Sequence, residues 1–192
     1  MNVYPKIASA VMISLASLSG HALTNDEFKS QQQSIDAQYK SAMAQCKAMK
    51  GNAKDVCEKE AEGNEDIAKA DLAARQNPNE VTQYKARLAR AEAAYEVAKE
   101  RCDDQTGNAK DVCKKDAKAA YEKAKGEAKV QRAEATPATS PARKAADVSN
   151  ARKDAAQNAR DAEFKAAEQR CDALSGAQKD ACLDEAKMHF PK

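Results

Sequence analysis

The 192-residue chain has a hydrophobic fraction of 42%, but 43 of its residues are alanine and only thirteen Ile, Leu or Val residues lie beyond position 22. This composition excludes a thick two-layer core, and its richness in Ala, Lys, Glu, Asp and Arg is typical of long helices. The 32 basic and 30 acidic residues nearly balance and are interspersed, which indicates a solvated helix surface and excludes a footprint for nucleic acid or anionic lipid.

Residues 1–22 read as a secretory signal peptide. Lys6 supplies a positive charge, the run "IASAVMISLASLSG" is apolar for 14 residues, and "GHA" offers small residues for cleavage after Ala22. The apolar run is too short to span a bilayer. We therefore expect an exported, periplasmic protein that begins at Leu23 and has no membrane span.

Five breaks divide the rest of the chain into six predicted helices. The first begins after Thr24, with Glu27 three residues later, and the linker "EATPATSP" precedes a fifth helix that Ser140 with Pro141 caps. The third is predicted to start at Asn77, with Pro78 at its first helical position. The expected helices cover about 25–50, 53–75, 77–106, 109–134, 142 to just before 176, and a short stretch after 176, with "EGNED" at 62–66 weakening the second.

Three copies of a cysteine unit recur in these helices. Each has two cysteines eleven positions apart, "CKAMKGNAKDVC", "CDDQTGNAKDVC" and "CDALSGAQKDAC". The copies are spaced 56 and 69 residues apart, and we place the extra length of the second interval in "ATPATSPARK". An even number of cysteines in an exported protein predicts a disulfide framework.

The repeat extends beyond the cysteines. An aromatic ring lies seven residues before each first cysteine, at Tyr39, Tyr95 and Phe164. An alanine lies four residues before each first cysteine and four residues after each second one, namely Ala42 and Ala61, Ala98 and Ala117, and Ala167 and Ala186. Since a disulfide needs α-carbons within roughly 4.4–6.8 Å and packed helices usually lie about 8–10 Å apart, these alanines are what a disulfide between two helices requires.

The residues between the cysteines predict a turn between antiparallel helices. A glycine supplies a left-handed residue, and an asparagine then caps the next helix with Asp three residues later; these residues are Gly51, Gly107, Gly176, Asn52, Asn108, Asp55 and Asp111. The third copy has Ala177 in place of asparagine, which predicts a poorer cap. Within one hairpin, the residue numbers of any two residues that face each other add up to the same value. This rule predicts the disulfides Cys46 with Cys57, Cys102 with Cys113, and Cys171 with Cys182.

Other uses of these cysteines fit the sequence less well. Metal sites favour close Cys and His clusters, whereas His21 lies in the signal peptide and His189 near the C-terminus. A redox-active pair is usually C-x-x-C at a helix start. No nucleophile elbow, phosphate loop or HExxH motif occurs in the sequence, so we expect no catalytic, cofactor-binding or metal-binding residues and no enzyme activity.

The predicted fold is all-α, with three disulfide-stapled antiparallel helical hairpins in an elongated, coiled-coil-like arrangement. The predicted division is a signal peptide (1–22), hairpin 1 (23–76), hairpin 2 (77–134), a linker (135–141) and hairpin 3 (142–192). The linker is expected to be extended and to separate hairpin 3 from the other two.

With its "GNAKDVC" units, the chain resembles small exported Ala/Lys-rich helical proteins of Gram-negative bacteria that carry C-x4-GNAKDVC units, and in composition it is similar to the helical segment of TolA. The resemblance covers residues 34–188, and the third unit departs from it at Ala177, Gln178 and Ala181. It implies a place in the cell envelope but no biochemical activity and no functional residue.

Two functions fit this organisation. The first is a non-enzymatic periplasmic helical repeat protein that acts as a structural or protein-interaction element of the envelope, with a protein partner that the sequence does not identify. The alternative is a stress-related chaperone that holds unfolded clients with Met43, Met49 and Met188. We favour the interpretation that these methionines pack in the helix seams beside the cysteines.

Overall fold

The computed structural model describes residues 23–191, which form six α-helices and one short 3-10 turn at Cys102–Asp104. The predicted signal peptide lies outside the described residues. The helices are α1 (Asn25–Cys46), α2 (Asn52–Gln76), α3 (Glu80–Arg101), α4 (Gly107–Ala135), α5 (Pro141–Cys171) and α6 (Gly176–His189). The predicted all-α class is confirmed, and so are the three stapled hairpins α1/α2, α3/α4 and α5/α6.

Two of the predicted helix caps, Thr24 and Ser140, are confirmed. Thr24 and Glu27 form a capping box, in which the Glu27 amide donates to the Thr24 hydroxyl at 3.2 Å and the Thr24 amide donates to the Glu27 carboxylate at 2.8 Å. Ser140 caps α5 by accepting from the Arg143 amide, with Pro141 in the first turn. The start of α3 was predicted two residues too early. Its cap is Asn79, whose side chain accepts from the amides of Val81 and Thr82.

Each helix packs chiefly against the helices before and after it in the chain, so the hairpins form one open row. Successive helices are antiparallel, which places the turns of all three hairpins, and therefore all three disulfides, along the same edge of the row. The longest helix, α5, has 31 residues and is about 46 Å long at 1.5 Å per residue.

The linker does not separate hairpin 3 from the rest, which corrects the sequence-based expectation. Helix α4 ends at Ala135 and α5 begins at Pro141, and these two helices make the most extensive contact of any pair in the row. Lys144 of α5 also donates to the carbonyls of Ala133 and Thr136, which closes the C-terminal end of α4. The extra residues between the second and third cysteine units therefore lie mainly in lengthened helices.

The two contacts between hairpins, α2/α3 and α4/α5, depend on glycines within helices. A Cβ atom on Gly63 would lie 2.7 Å from the Cβ of Ala93, and one on Gly126 would lie 2.8 Å from the Cβ of Ala155. Real Cβ atoms do not approach so closely, so both glycines are there to let the helices meet. The stretch "EGNED", predicted to weaken the second helix, does not interrupt α2, and Gly63 within it is buried against α3.

The second of these contacts repeats the first with one added heptad. Counted from the cysteines, Gly126 and Ala155 lie seven residues further out on their helices than Gly63 and Ala93. The ion pair Arg152–Glu134 is displaced by the same seven residues from its counterpart Arg90–Asp71. Seven residues added between the cysteine and the contact on each helix preserve which faces meet, since seven residues make nearly two turns.

Replacing either glycine by alanine tests the close approach. At an exposed helix position this change stabilises a protein by about 1 kcal/mol, but here the new methyl group meets the Cβ of the facing alanine and costs about 1–3 kcal/mol. We expect Gly63→Ala and Gly126→Ala to lower the free energy of unfolding in urea. The double variant Gly63→Ala with Ala93→Gly removes the clash and should recover most of the loss; an increase in stability in either single variant would contradict the packing described above.

Candidate functional site

All three predicted disulfides are present, and their Cα atoms lie 5.5, 5.6 and 5.7 Å apart; the pairs are Cys46–Cys57, Cys102–Cys113 and Cys171–Cys182. The first cysteine of each pair is almost fully buried, and the second is partly exposed. Of the alanines predicted to flank the bonds, Ala61, Ala117 and Ala186 are buried. Every cysteine in the described chain is in a disulfide.

The glycine after each first cysteine has a backbone conformation that other residues rarely adopt. Gly51, Gly107 and Gly176 have φ values of 57°, 58° and 55°, and Gly51 combines this with ψ of −153°, a region almost restricted to glycine. This confirms the positive φ expected of the glycines. However, at Gly51 the region is not the left-handed helical one, and the glycine opens the following helix rather than closing the preceding one.

The asparagines after these glycines are not helix caps, which corrects the prediction. Neither α2 nor α4 has a side-chain cap, and Asn108 instead accepts a hydrogen bond of 2.8 Å from Gln169 of the next hairpin. Valines at 56 and 112 are half-buried, whereas Ala181 at the same place in hairpin 3 is exposed. The departures at Ala177 and Ala181 therefore fall on the side of hairpin 3 that no further hairpin covers.

An ion pair repeats between adjacent staples. Arg101 donates to Glu60 at 2.6 Å, and Arg170 donates to Asp116 at 2.5 Å. In both cases the arginine immediately precedes a first cysteine, and the carboxylate lies three residues after the previous second cysteine. Hairpin 1 has no preceding neighbour and carries Gln45 at the arginine position. The first end of the row thus lacks the arginine, whereas at the other end Glu185 keeps the carboxylate position, three residues after Cys182.

The aromatic residues at the repeated position pack on a second ring in two of the hairpins. The ring centroids of Tyr95 and Tyr121 are 5.1 Å apart, and those of Phe164 and Phe190 are 6.5 Å apart. Both partners lie eight residues after a second cysteine, where hairpin 1 has Glu65. The constant sum that predicted the disulfides places Tyr121 opposite Tyr95 to within one residue, so this pair was accessible to sequence reasoning.

The tyrosine pair lies in a groove between α2 and α4, above α3. We call it the tyrosine groove, and it is lined mainly by Lys59, Glu62, Asp66, Glu92, Tyr95, Glu96, Lys118 and Tyr121. The Nζ atom of Lys118 lies 5.4 Å from the centroid of Tyr95 and 4.6 Å from that of Tyr121, which is cation–π distance to both rings. Its walls come from hairpins 1 and 2, and the close contact of Gly63 with Ala93 lies between them.

Several charges around the groove are paired. Glu62 accepts from Lys59 at 2.8 Å, and Glu96 accepts from Lys99 at 2.5 Å; these hydrogen bonds raise the pKa of each lysine. Burial, reinforced by the nearby Glu92 carboxylate, raises the pKa of Tyr121. The groove therefore presents two half-buried phenol rings edged by charges of both signs.

The methionine interpretation is corrected in part. Met43 is half-buried, but Met49 is 45% exposed and Met188 is 75% exposed, so these two do not pack in a seam. Leu174, at the same place in hairpin 3 as Met49 in hairpin 1, is 41% exposed. His189 is also exposed. Within residues 23–191, no three His, Cys, Asp or Glu side chains come together as metal ligands.

In comparisons with protein-family models, curated proteins and solved structures, nothing matches this chain. None of the described helices is long and apolar enough to cross a membrane. Three disulfides indicate an oxidising environment outside the cytoplasm.

Titration of the tyrosines tests the groove. Tyr121 should ionise at higher pH than an ordinary tyrosine, whose pKa is about 10, because burial and Glu92 both oppose the phenolate. The stability that this raised pKa provides is complete at pH values below the pKa of Tyr121 in the unfolded chain. It is lost as the pH rises through the pKa of Tyr121 in the folded protein. When phenolate absorbance is followed as the pH is raised, the step at the highest pH should be absent in the Tyr121→Phe variant. The Glu92→Gln variant should lower the pKa of Tyr121. A Tyr121 that titrates with or before the other tyrosines would contradict this environment.

Proposed function

We propose that the protein is a non-enzymatic helical repeat protein of the cell envelope that acts as a protein-interaction or structural element, with the tyrosine groove as its binding surface. The observation that carries the proposal is the groove itself, in which Tyr95 and Tyr121 stand half-buried beside Lys118. Tyrosine is enriched at protein interfaces because a rigid ring with a polar tip gives large contact area at low entropic cost.

The arrangement of the hairpins supports a face of the row, rather than its ends, as the binding surface. Between hairpins, helices meet through small residues and arginine–carboxylate pairs. On the outer side of α1 the matching positions are the exposed residues Ser30, Ser34, Ala37, Ser41 and Ala44, three of them serines. Polar outer surfaces on terminal repeats limit further stacking. We therefore expect the partner to bind on a broad face of the row and not at its ends.

The proposed location is the periplasm, after cleavage of the signal peptide following Ala22. The disulfides agree with an exported protein. The resemblance to Ala/Lys-rich proteins with C-x4-GNAKDVC units supports an envelope role without adding an activity.

A holdase is the second candidate, and the observation that favours it is the exposure of Met49, Leu174 and Met188. These side chains lie singly, and isolated exposed apolar residues are common on soluble proteins. The aromatic and aliphatic residues of the seams are at least partly covered: Ile35 is buried, and Phe28 and Phe164 are half-buried. We therefore place this function second.

Site-specific photocrosslinking in the producing cells tests the interaction surface. Glu92 and Ala94 are both exposed on α3, two residues apart, but only Glu92 lines the groove. A photoreactive residue at 92 should give one defined protein adduct, and the same residue at 94 should not. The adduct should disappear when Tyr95 and Tyr121 are both replaced by alanine; equal adducts at 92 and 94, or an adduct that survives this replacement, would exclude the groove.

An aggregation assay separates the two candidate functions. The oxidised protein, at a near-equimolar ratio to a denatured model protein, should leave aggregation unchanged because the seams are closed. Suppression that is lost when Tyr39, Tyr95 and Phe164 are replaced together, with helicity retained, would promote the holdase.

A further inference from the structure

The last helix, α6, is held in place by fewer interactions than any other helix. It lies at the end of the row and packs chiefly against α5. This is the smallest of the five contacts between successive helices. It has 14 residues, of which only Ala186 is buried. Ser175 makes no capping hydrogen bond at its start. Helices of this length are marginal in water on their own, so α6 depends on its attachment to α5.

That attachment consists of the disulfide and a small apolar contact. Phe164 of α5 packs edge-on against Phe190, which follows the last turn of α6. Among the residues that the structure describes, one ion pair crosses this hairpin, between Lys179 and Asp172 at the turn. Further along α5, the seam that would receive a longer α6 continues as Arg160, Gln157 and Lys153, which offer no apolar contact.

Helix α1, at the other end of the row, is also covered on one side only but is held more strongly. It has 22 residues, a capping box at Thr24 and a buried Ile35. Lys69 of α2 bridges to Asp36 across the hairpin at 3.4 Å, and Leu72 of α2 is 1% exposed. The helices of hairpin 2 are held from both sides by α2 and α5. Three disulfides with the same spacing therefore stand in unequal surroundings.

We propose that Cys171–Cys182 is a redox-controlled clasp, whose reduction by a dithiol releases α6 from α5 while the other five helices stay packed. Two electrons and two protons pass from the dithiol to the two sulfurs. The S–S bond breaks to give two cysteine thiols, and the dithiol closes to its own disulfide. Release of α6 exposes an apolar strip on the end of α5, formed by Phe164 and Ala167, together with Leu183 and Phe190 on the freed segment.

The same reasoning ranks the three bonds by ease of reduction. A disulfide resists reduction when the surrounding structure holds its two sulfurs together, because the thiols then re-form the bond at high effective concentration. Contacts with flanking helices hold the sulfurs of Cys102 and Cys113 together, and the long seam of α1 holds those of Cys46 and Cys57 together. Few contacts hold the sulfurs of Cys171 and Cys182 together. This inference does not depend on the proposed envelope function.

Hydrogen–deuterium exchange of three matched variants tests the clasp. In each variant one pair of cysteines is replaced by serine in the full chain, namely C46S/C57S, C102S/C113S and C171S/C182S; each places a serine at one almost fully buried position. In C171S/C182S the amides of α6 should exchange on the order of 30-fold faster or more, the effect of losing closure of a loop of about a dozen residues. Helices α1–α5 should keep their protection in that variant, and α1 should keep its protection in C46S/C57S.

The proposal fails if α6 stays protected in C171S/C182S, if α1 is lost from C46S/C57S to the same degree, or if C171S/C182S unfolds throughout. A second measurement uses the unmodified protein in buffers of graded reduced and oxidised dithiothreitol, followed by alkylation and peptide mapping. Cys171 and Cys182 should be alkylated at the lowest ratio of reduced to oxidised dithiothreitol, together with faster exchange in α6. Reduction of another pair first, or of all three at one ratio, would overturn the ranking.

Discussion

The structure depends on how closely its helices can approach one another. A chain with so few large aliphatic residues gains little from burying them, at about 25 cal/mol per Å² of apolar surface. Alanine and glycine seams compensate by bringing backbones together, so that many small contacts replace a few large ones. Gly63 and Gly126 show the limit of this approach, since even one added methyl group has no room.

Two kinds of helix contact alternate along the row, and they are stabilised differently. Within a hairpin, the disulfide and its flanking alanines hold the helices at the turn, and aromatic pairs such as Tyr95 with Tyr121 fill the seam beyond it. Between hairpins there is no covalent bond, and small residues with arginine–carboxylate pairs make the contact. Exposed ion pairs contribute at most about 1 kcal/mol each, so they specify which faces meet more than they stabilise the row.

This alternation has consequences for function. A row that grows by adding hairpins leaves two broad faces open to solvent, and grooves form where three consecutive helices meet. The tyrosine groove is one of these. Its rings come from α3 and α4, while acidic and basic side chains of α2 form its far wall. The same open design leaves the last helix with one neighbour, which is why the final disulfide carries more of the local stability than the other two.

The sequence by itself determined the helices, the disulfide pairing and the alanines beside it. Each of these follows from local spacing. A glycine turn fixes which residues face each other beside it, and the same pairing rule, a constant sum of the two residue numbers, applies along the rest of the hairpin. Only the tertiary structure decided how hairpins join. Gly63 looked like a weak point and Asn108 like a cap, because their partners, Ala93 and Gln169, are distant in sequence. The linker likewise suggested a separate third hairpin, since sequence spacing cannot show that α5 returns along α4.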